Sequence, residues 1–195
     1  MKKTFVIILI LLISIVSCST KQQTLDEYAN YPVKFAKQKI EHPDVDFTFY
    51  LPKNWKWKSE TYDSENILFG IDAGSEPDKD QFVDIISIQK LKSFDNRNDL
   101  KSEFEYYLEL LETNWNGEVV KTGETDIFDE QAFYLHTKSN TGTYGEIETI
   151  SFVLKSETEG VFYNLTASAS QTDNLKMNMA MMIDCLQTFK RNTGE

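Results

Sequence analysis

The chain has 195 residues, 41% of them hydrophobic and 13% aromatic, which bounds it to one folded domain plus targeting segments and excludes wholesale disorder. Against 31 acidic residues stand 20 basic ones, a net charge of −11 with lysines interleaved among acids. Such a chain repels phosphate backbones, so nucleic acid is excluded as a partner.

The first stretch, "MKKTFVIILILLISIVSCST", sets two lysines before an apolar run from Phe5 to Val16 and then small residues, the layout of a secretory signal. The run is too short to span a bilayer, which takes about 20 apolar residues. Its ending, "IVSC", resembles the lipobox of bacterial lipoproteins. The resemblance implies a signal peptide over residues 1–17, peptidase recognition through Ile15, Val16 and Ser17, and acyl chains such as palmitate on Cys18. Several acyl chains anchor far more firmly than one. Ser19, in place of the aspartate that retains such proteins at the inner membrane, implies the outer membrane, facing the periplasm of a Gram-negative cell. Residues 18–39 then read as the lipidated cysteine and a polar tether that becomes ordered near Tyr31 or Phe35.

A domain is expected over residues 40–190, with 191–195 as a tail. "VDFTFYLP" alternates Phe47, Phe49 and Leu51 on one face, the period of a half-buried strand. A strand from Lys53 to Glu60 would put Trp55 and Trp57 together on one face. "NILFGID" and "FVDIISIQKL" follow as strands, separated by a loop marked by Gly74 and Pro77. In "NDLKSEFEYYLELLETNW" the period becomes helical, through Leu100, Phe104, Tyr107, Leu108, Leu111 and Trp115, with Asn98 as N-cap and Gly117 as stop. Four further strands are expected in "GEVVKTGETDIF", "QAFYLHTKS", "YGEIETISFVLKS" and "GVFYNLTASAS", with turns at Asn140–Gly142 and Glu159–Gly160. The last helix, in "TDNLKMNMAMMIDCLQTFK", aligns Leu175, Met179, Met182, Ile183 and Leu186 behind a Thr172 or Asp173 cap. This order predicts an α+β fold, a mainly antiparallel sheet flanked by a mid-chain helix and a C-terminal helix.

The short turn Pro52-x-x-Trp55 after the first strand, the mid-chain helix, the strand meander and the closing Leu186-x-x-Phe189 resemble the PsbP/Mog1/DcrB superfamily over about residues 40–190. The resemblance implies a PsbP-like sandwich and a binding or assembly role without catalysis. It carries no functional residue over, because members of the superfamily serve different partners.

The residues themselves offer few sites. Trp55 and Trp57 on one face read first as core; at the sheet rim Trp57 would instead be a candidate contact for a partner or ligand, since tryptophan is enriched in interface hot spots. Met177 and Met181, four apart beside the apolar stripe, form a second candidate contact surface. Asp72, Glu76, Asp78 and Asp80 lack the spacing of a calcium loop and read as solvated, as do Asp126, Asp129 and Glu130 at a strand turn. His42 and His136 stand apart from any metal or nucleophile motif, so His136 is expected to be structural, and no catalytic residue, metal or cofactor is assigned. Cys185 is expected to pack as a small hydrophobe; with Cys18 lipidated it has no partner for a disulfide. The sequence thus reads as a lipid-anchored, extracytoplasmic, non-catalytic binding or accessory protein, with the membrane and an envelope protein or component as partners. The rivals are a lipid or glycan carrier with a pocket between sheet and helix and, behind it, an enzyme.

Overall fold

Thr24 caps the first helix. Its hydroxyl accepts from the Glu27 amide at 3.3 Å while the Glu27 carboxylate accepts from the Thr24 amide at 3.0 Å, a reciprocal cap that starts the five-residue helix α1 (Leu25–Ala29). The structure, a computed structural model, describes residues 23–192 apart from Thr61, Asp63, Asp95 and Tyr144, with Asn114 described by its backbone alone. Strands β1 (Lys37–Ile40), β2 (Phe47–Pro52), β3 (Lys56–Glu60), β4 (Ile67–Gly74) and β5 (Ile85–Lys92) come next, then helix α2 (Leu100–Asn114). Strands β6 (Glu118–Thr125), β7 (Ala132–Asn140), β8 (Glu146–Lys155) and β9 (Val161–Ala169) lead through a 3-10 turn (Thr172–Asn174) to helix α3 (Leu175–Leu186) and a two-residue strand β10 (Lys190–Arg191).

The fold is α+β. Seven strands form one sheet in the order β3-β4-β5-β9-β8-β7-β6, and β1, β2 and β10 form a smaller one. Every pairing is antiparallel. Gly160, at φ +68°, makes the tight reversal between β8 and β9, a conformation that glycine adopts without strain.

Strand alternation gives the large sheet two unlike faces. One carries Ile86, Ile88, Tyr134, Ile150, Phe152, Tyr163 and Leu165, all buried, and faces α3, α1 and the small sheet in a single core. Met179, Met182, Ile183, Cys185 and Leu186 of α3 are wholly buried in that layer. The other face is covered in part by α2, through a smaller cluster of Leu100, Phe104, Leu135, Val153 and Phe162. The Phe104 and Phe133 rings stack there at 5.2 Å. This face also carries polar pairs, with Thr149 bonded to Ser168 and Ser151 to Thr166 across the strands.

Several boundaries differ from the sequence expectation for local reasons. The span read as a tether contains α1, whose Leu25 and Tyr28 join the core, and β1, which pairs with β2. Strand β3 begins at Lys56 instead of Lys53, because Pro52 to Trp55 close a turn with the Trp55 amide on the Pro52 carbonyl at 3.0 Å. The α2 cap is Asp99, whose carboxylate accepts from the Ser102 amide, one residue past the expected Asn98. That helix ends at Asn114 with Trp115 as its C-cap, ahead of Gly117. Thr172 and Asp173 belong to the 3-10 turn, and Asn174 occupies the cap position of α3 without a side-chain bond.

Candidate functional site

The turn before β3 separates the two tryptophans. Trp55 enters the core at 8% exposure, whereas Trp57 lies on the outermost strand of the large sheet and keeps 38% of its surface exposed. Pairing register sets Trp57 opposite Ala73, Lys56 opposite Gly74, and Gly74 opposite Ile85. A groove of about 460 Å³ runs along this edge, lined by Lys56, Trp57, Lys58, Asp72, Ser75 and Ile85 among others. It offers an aromatic ring, an aliphatic wall and two ammonium groups, which is the chemistry of stacking and charge recognition. Lys56 pairs with Glu76 at 3.1 Å and Lys58 with Glu60; all are solvated enough to exchange partners at little cost.

One wall of the groove is the loop 75–84, and it is tied down. Buried Asp84 accepts from the Ser170 and Gln171 amides at 3.0 and 3.1 Å. Burial, the largest influence, pushes the Asp84 carboxyl above its ordinary range despite those bonds. Gln171 donates to the carbonyls of Phe82 (2.6 Å) and Glu76 (2.9 Å). The acidic residues of this stretch do not converge. Asp72 lies in β4, Asp78 accepts from the Asp80 and Phe82 amides of its own turn, and Glu76 faces Lys56. Among the described residues no group of three or more His, Cys, Asp or Glu is placed to hold a metal ion.

The methionine surface divides. Met177, 49% exposed, lines a second groove of about 370 Å³ with Gln23, Tyr31, Asp173 and Lys176, beside the start of the described chain. Met181 is half-buried and packs against the core. The Lys176 ammonium lies 5.0 Å over the Tyr31 ring.

Beneath that groove lies a constellation the sequence did not reveal. Glu148, 2% exposed, accepts from the Tyr28 hydroxyl at 2.5 Å and bonds His136 Nε2 at 2.8 Å through the same oxygen; Lys138 reaches its other oxygen at 3.2 Å. His136 is 1% exposed, as the structural reading of that residue expects. Burial alone would raise the Glu148 carboxyl, but the bonds from His136 and Tyr28 and the neighbouring positive charge hold it below its ordinary range. The Tyr28 hydroxyl is pushed up, first by burial and then by its bond to Glu148. With Glu148 and His136 buried, the cluster fastens α1 to β7 and β8. Cys185 is equally sealed, and burial pushes its thiol up to about 12. Cys18, Ile15, Val16 and Ser17 lie outside the described residues. No helix among the described residues is long and apolar enough to cross a membrane.

Neither a family model nor a curated protein sequence matches the chain. Solved structures do match its fold. The Ran-binding protein Mog1p of Saccharomyces cerevisiae superposes with a TM-score of 0.53 at 12% identity, over 82% of this chain and 97% of that one. Cyanobacterial PsbP from Synechocystis sp. PCC 6803 superposes with a TM-score of 0.55 at 10% identity, over 82% of this chain and 94% of that one. The fold is therefore PsbP/Mog1-like, and at these identities the likeness extends to the fold alone.

Proposed function

We propose that the chain is a lipid-anchored, non-catalytic binding or accessory protein of the bacterial envelope, held by acyl chains on Cys18 at the periplasmic side of the outer membrane. The anchor rests on the "IVSC" ending of the apolar leader. The binding role rests on one observation: a tryptophan with 38% of its surface exposed, flanked by Lys56 and Lys58 on a sheet edge beside a groove. Tryptophan is enriched among interface hot spots, and this one stands beside exposed Ile85 at the rim of a groove, which makes it the contact the proposal assigns to a partner. Support also comes from Mog1p, which shares the fold and is itself a binding protein. The carrier alternative needs a cavity between sheet and helix; wholly buried Met179, Met182, Ile183, Cys185 and Leu186 in that layer favour the binding reading.

The test is crosslinking and affinity capture of the anchored protein in its own cells, wild type against Trp57→Ala, read by mass spectrometry. A partner lost in the variant supports the reading, and identical partners in both refute Trp57 as the anchor. Cys18→Ser should abolish lipid labelling and release the protein from membranes; unchanged labelling would overturn the lipoprotein assignment.

A further inference from the structure

The described chain begins at Gln23, which itself lines the groove shared by Tyr31, Lys176 and Met177. This groove sits at one end of the large sheet. Helix α1 is pinned there to Glu148 near the start of β8, opposite Ala169 at the end of β9, and α3 begins just beyond. Only five peptide units separate Cys18 from Gln23, a reach of at most about 18 Å. A domain of this length has a radius of gyration of about 15 Å, so an anchor at Cys18 would keep the start of the described chain within about 18 Å of the bilayer, close enough for this end of the molecule to meet it.

The residues at this end suit that position. Tyr31 is 37% exposed and Met177 49%, two apolar side chains turned to solvent within one small patch. Lys176 lies across the Tyr31 ring, so an aromatic face and an ammonium are presented together. Aromatic rings with a polar tip and lysines with long apolar stems are the side chains that settle at the headgroup level of a bilayer. Charge selects the kind of bilayer. Asp173 beside the patch is paired with Lys79 at 3.0 Å, so the local charge is balanced, while the whole chain is acidic, which opposes anionic headgroups; contact is by ring and thioether with a zwitterionic interface.

We infer that the surface formed by Tyr31, Lys176 and Met177 rests on the phospholipid interface of the membrane that carries the anchor. The inference builds on the lipid-anchored reading above and adds which face of the domain meets the lipid.

The experiment supplies the anchor chemically, so that orientation is tested apart from native lipidation. The chain from Cys18 onward, which contains every described residue, is coupled through its Cys18 thiol to maleimide-bearing phosphatidylcholine vesicles; Cys185, fully buried, does not compete. Single reporters are placed by Tyr31→Trp, Met177→Trp and, as control, Phe94→Trp. Phe94 is 42% exposed and follows the Ser93 amide bonded to Gly160, at the opposite end of the sheet. All three sites are exposed enough to tolerate the change, and a thermal melt confirms folding. With brominated acyl chains in the vesicles, and the parent protein's signal subtracted, fluorescence should be lost at positions 31 and 177 and retained at 94. Equal loss at all three positions, or none at 31 and 177, overturns the inference while leaving the anchor reading intact. Absence of lipid labelling on the native chain would strike the anchor reading instead.

Discussion

Replacing Tyr28 by phenylalanine removes one oxygen and one hydrogen bond from the buried cluster under α1. The ring keeps its place in the core, where it is 1% exposed, so packing changes little. Glu148 keeps His136 and Lys138 as partners, so the carboxylate is not orphaned. What is lost is a 2.5 Å bond from a hydroxyl to an ionised acceptor, of a class that contributes about 1.5–3 kcal/mol. For a chain of this size that corresponds to a fall in Tm of roughly 3–12 °C. The assay is a thermal melt at neutral pH with a double-mutant cycle. Tyr28→Phe in a Glu148→Gln background should cost clearly less than in wild type, because the charged acceptor is already gone. An unchanged Tm for Tyr28→Phe, or the same loss in both backgrounds, would refute the idea that Glu148 fastens the N-terminal helix through this hydroxyl.

The paired tryptophans should respond in opposite ways. Trp55→Ala should cost about 3–5 kcal/mol in urea unfolding, as deletion of a core indole does, whereas Trp57→Ala should stay within about 0.5 kcal/mol, as a surface change does. Stability should also fall in acid. The folded-state value of Glu148 lies below its unfolded one, so its contribution is complete above the ordinary glutamate range, about 4.3, and disappears as pH drops through the folded value. Melts from pH 7 to pH 3 should therefore show the gap between wild type and Glu148→Gln closing below that range, and a gap independent of pH would refute the linkage.

The readability of this chain followed the length and regularity of its elements. Strands β8 and β9 run over nine or ten residues rich in β-branched and aromatic side chains, and α2 holds its apolar positions over fifteen, so each is long enough for its pattern to survive in the sequence. Helix α1 spans five residues, too few to show a period, although the Thr24-x-x-Glu27 capping pair was a usable signal. Strand β10 has two residues and exists only because Lys190 and Arg191 meet Thr48 and Phe47, a contact that no local pattern encodes. The sites divide the same way. Trp57 was visible as a candidate from its own chemistry, and its exposure depended on a turn that delays β3 by three residues relative to a strand from Lys53. The Glu148 cluster joins residues 120 positions apart, Tyr28 among them in a stretch that reads as polar tether, so only the folded chain brings it together.

The short bond between α1 and β8 also has a mechanical meaning. Tension applied upstream of Gln23 is met by Leu25 and Tyr28 and passes through the Tyr28 hydroxyl to β8 and β7, strands with neighbours on both sides, where force is shared over long ladders of bonds. The weakest link on that path is α1 itself, a single short helix held by Leu25 and Tyr28. If it detaches, the segment from Gln23 to Lys37 can span at most about 50 Å end to end while the sheets remain folded. In a chain tethered as proposed, Tyr28 would act as a fuse: under low load the domain would stay close to its point of attachment, and under high load it would yield chain length before it yields structure.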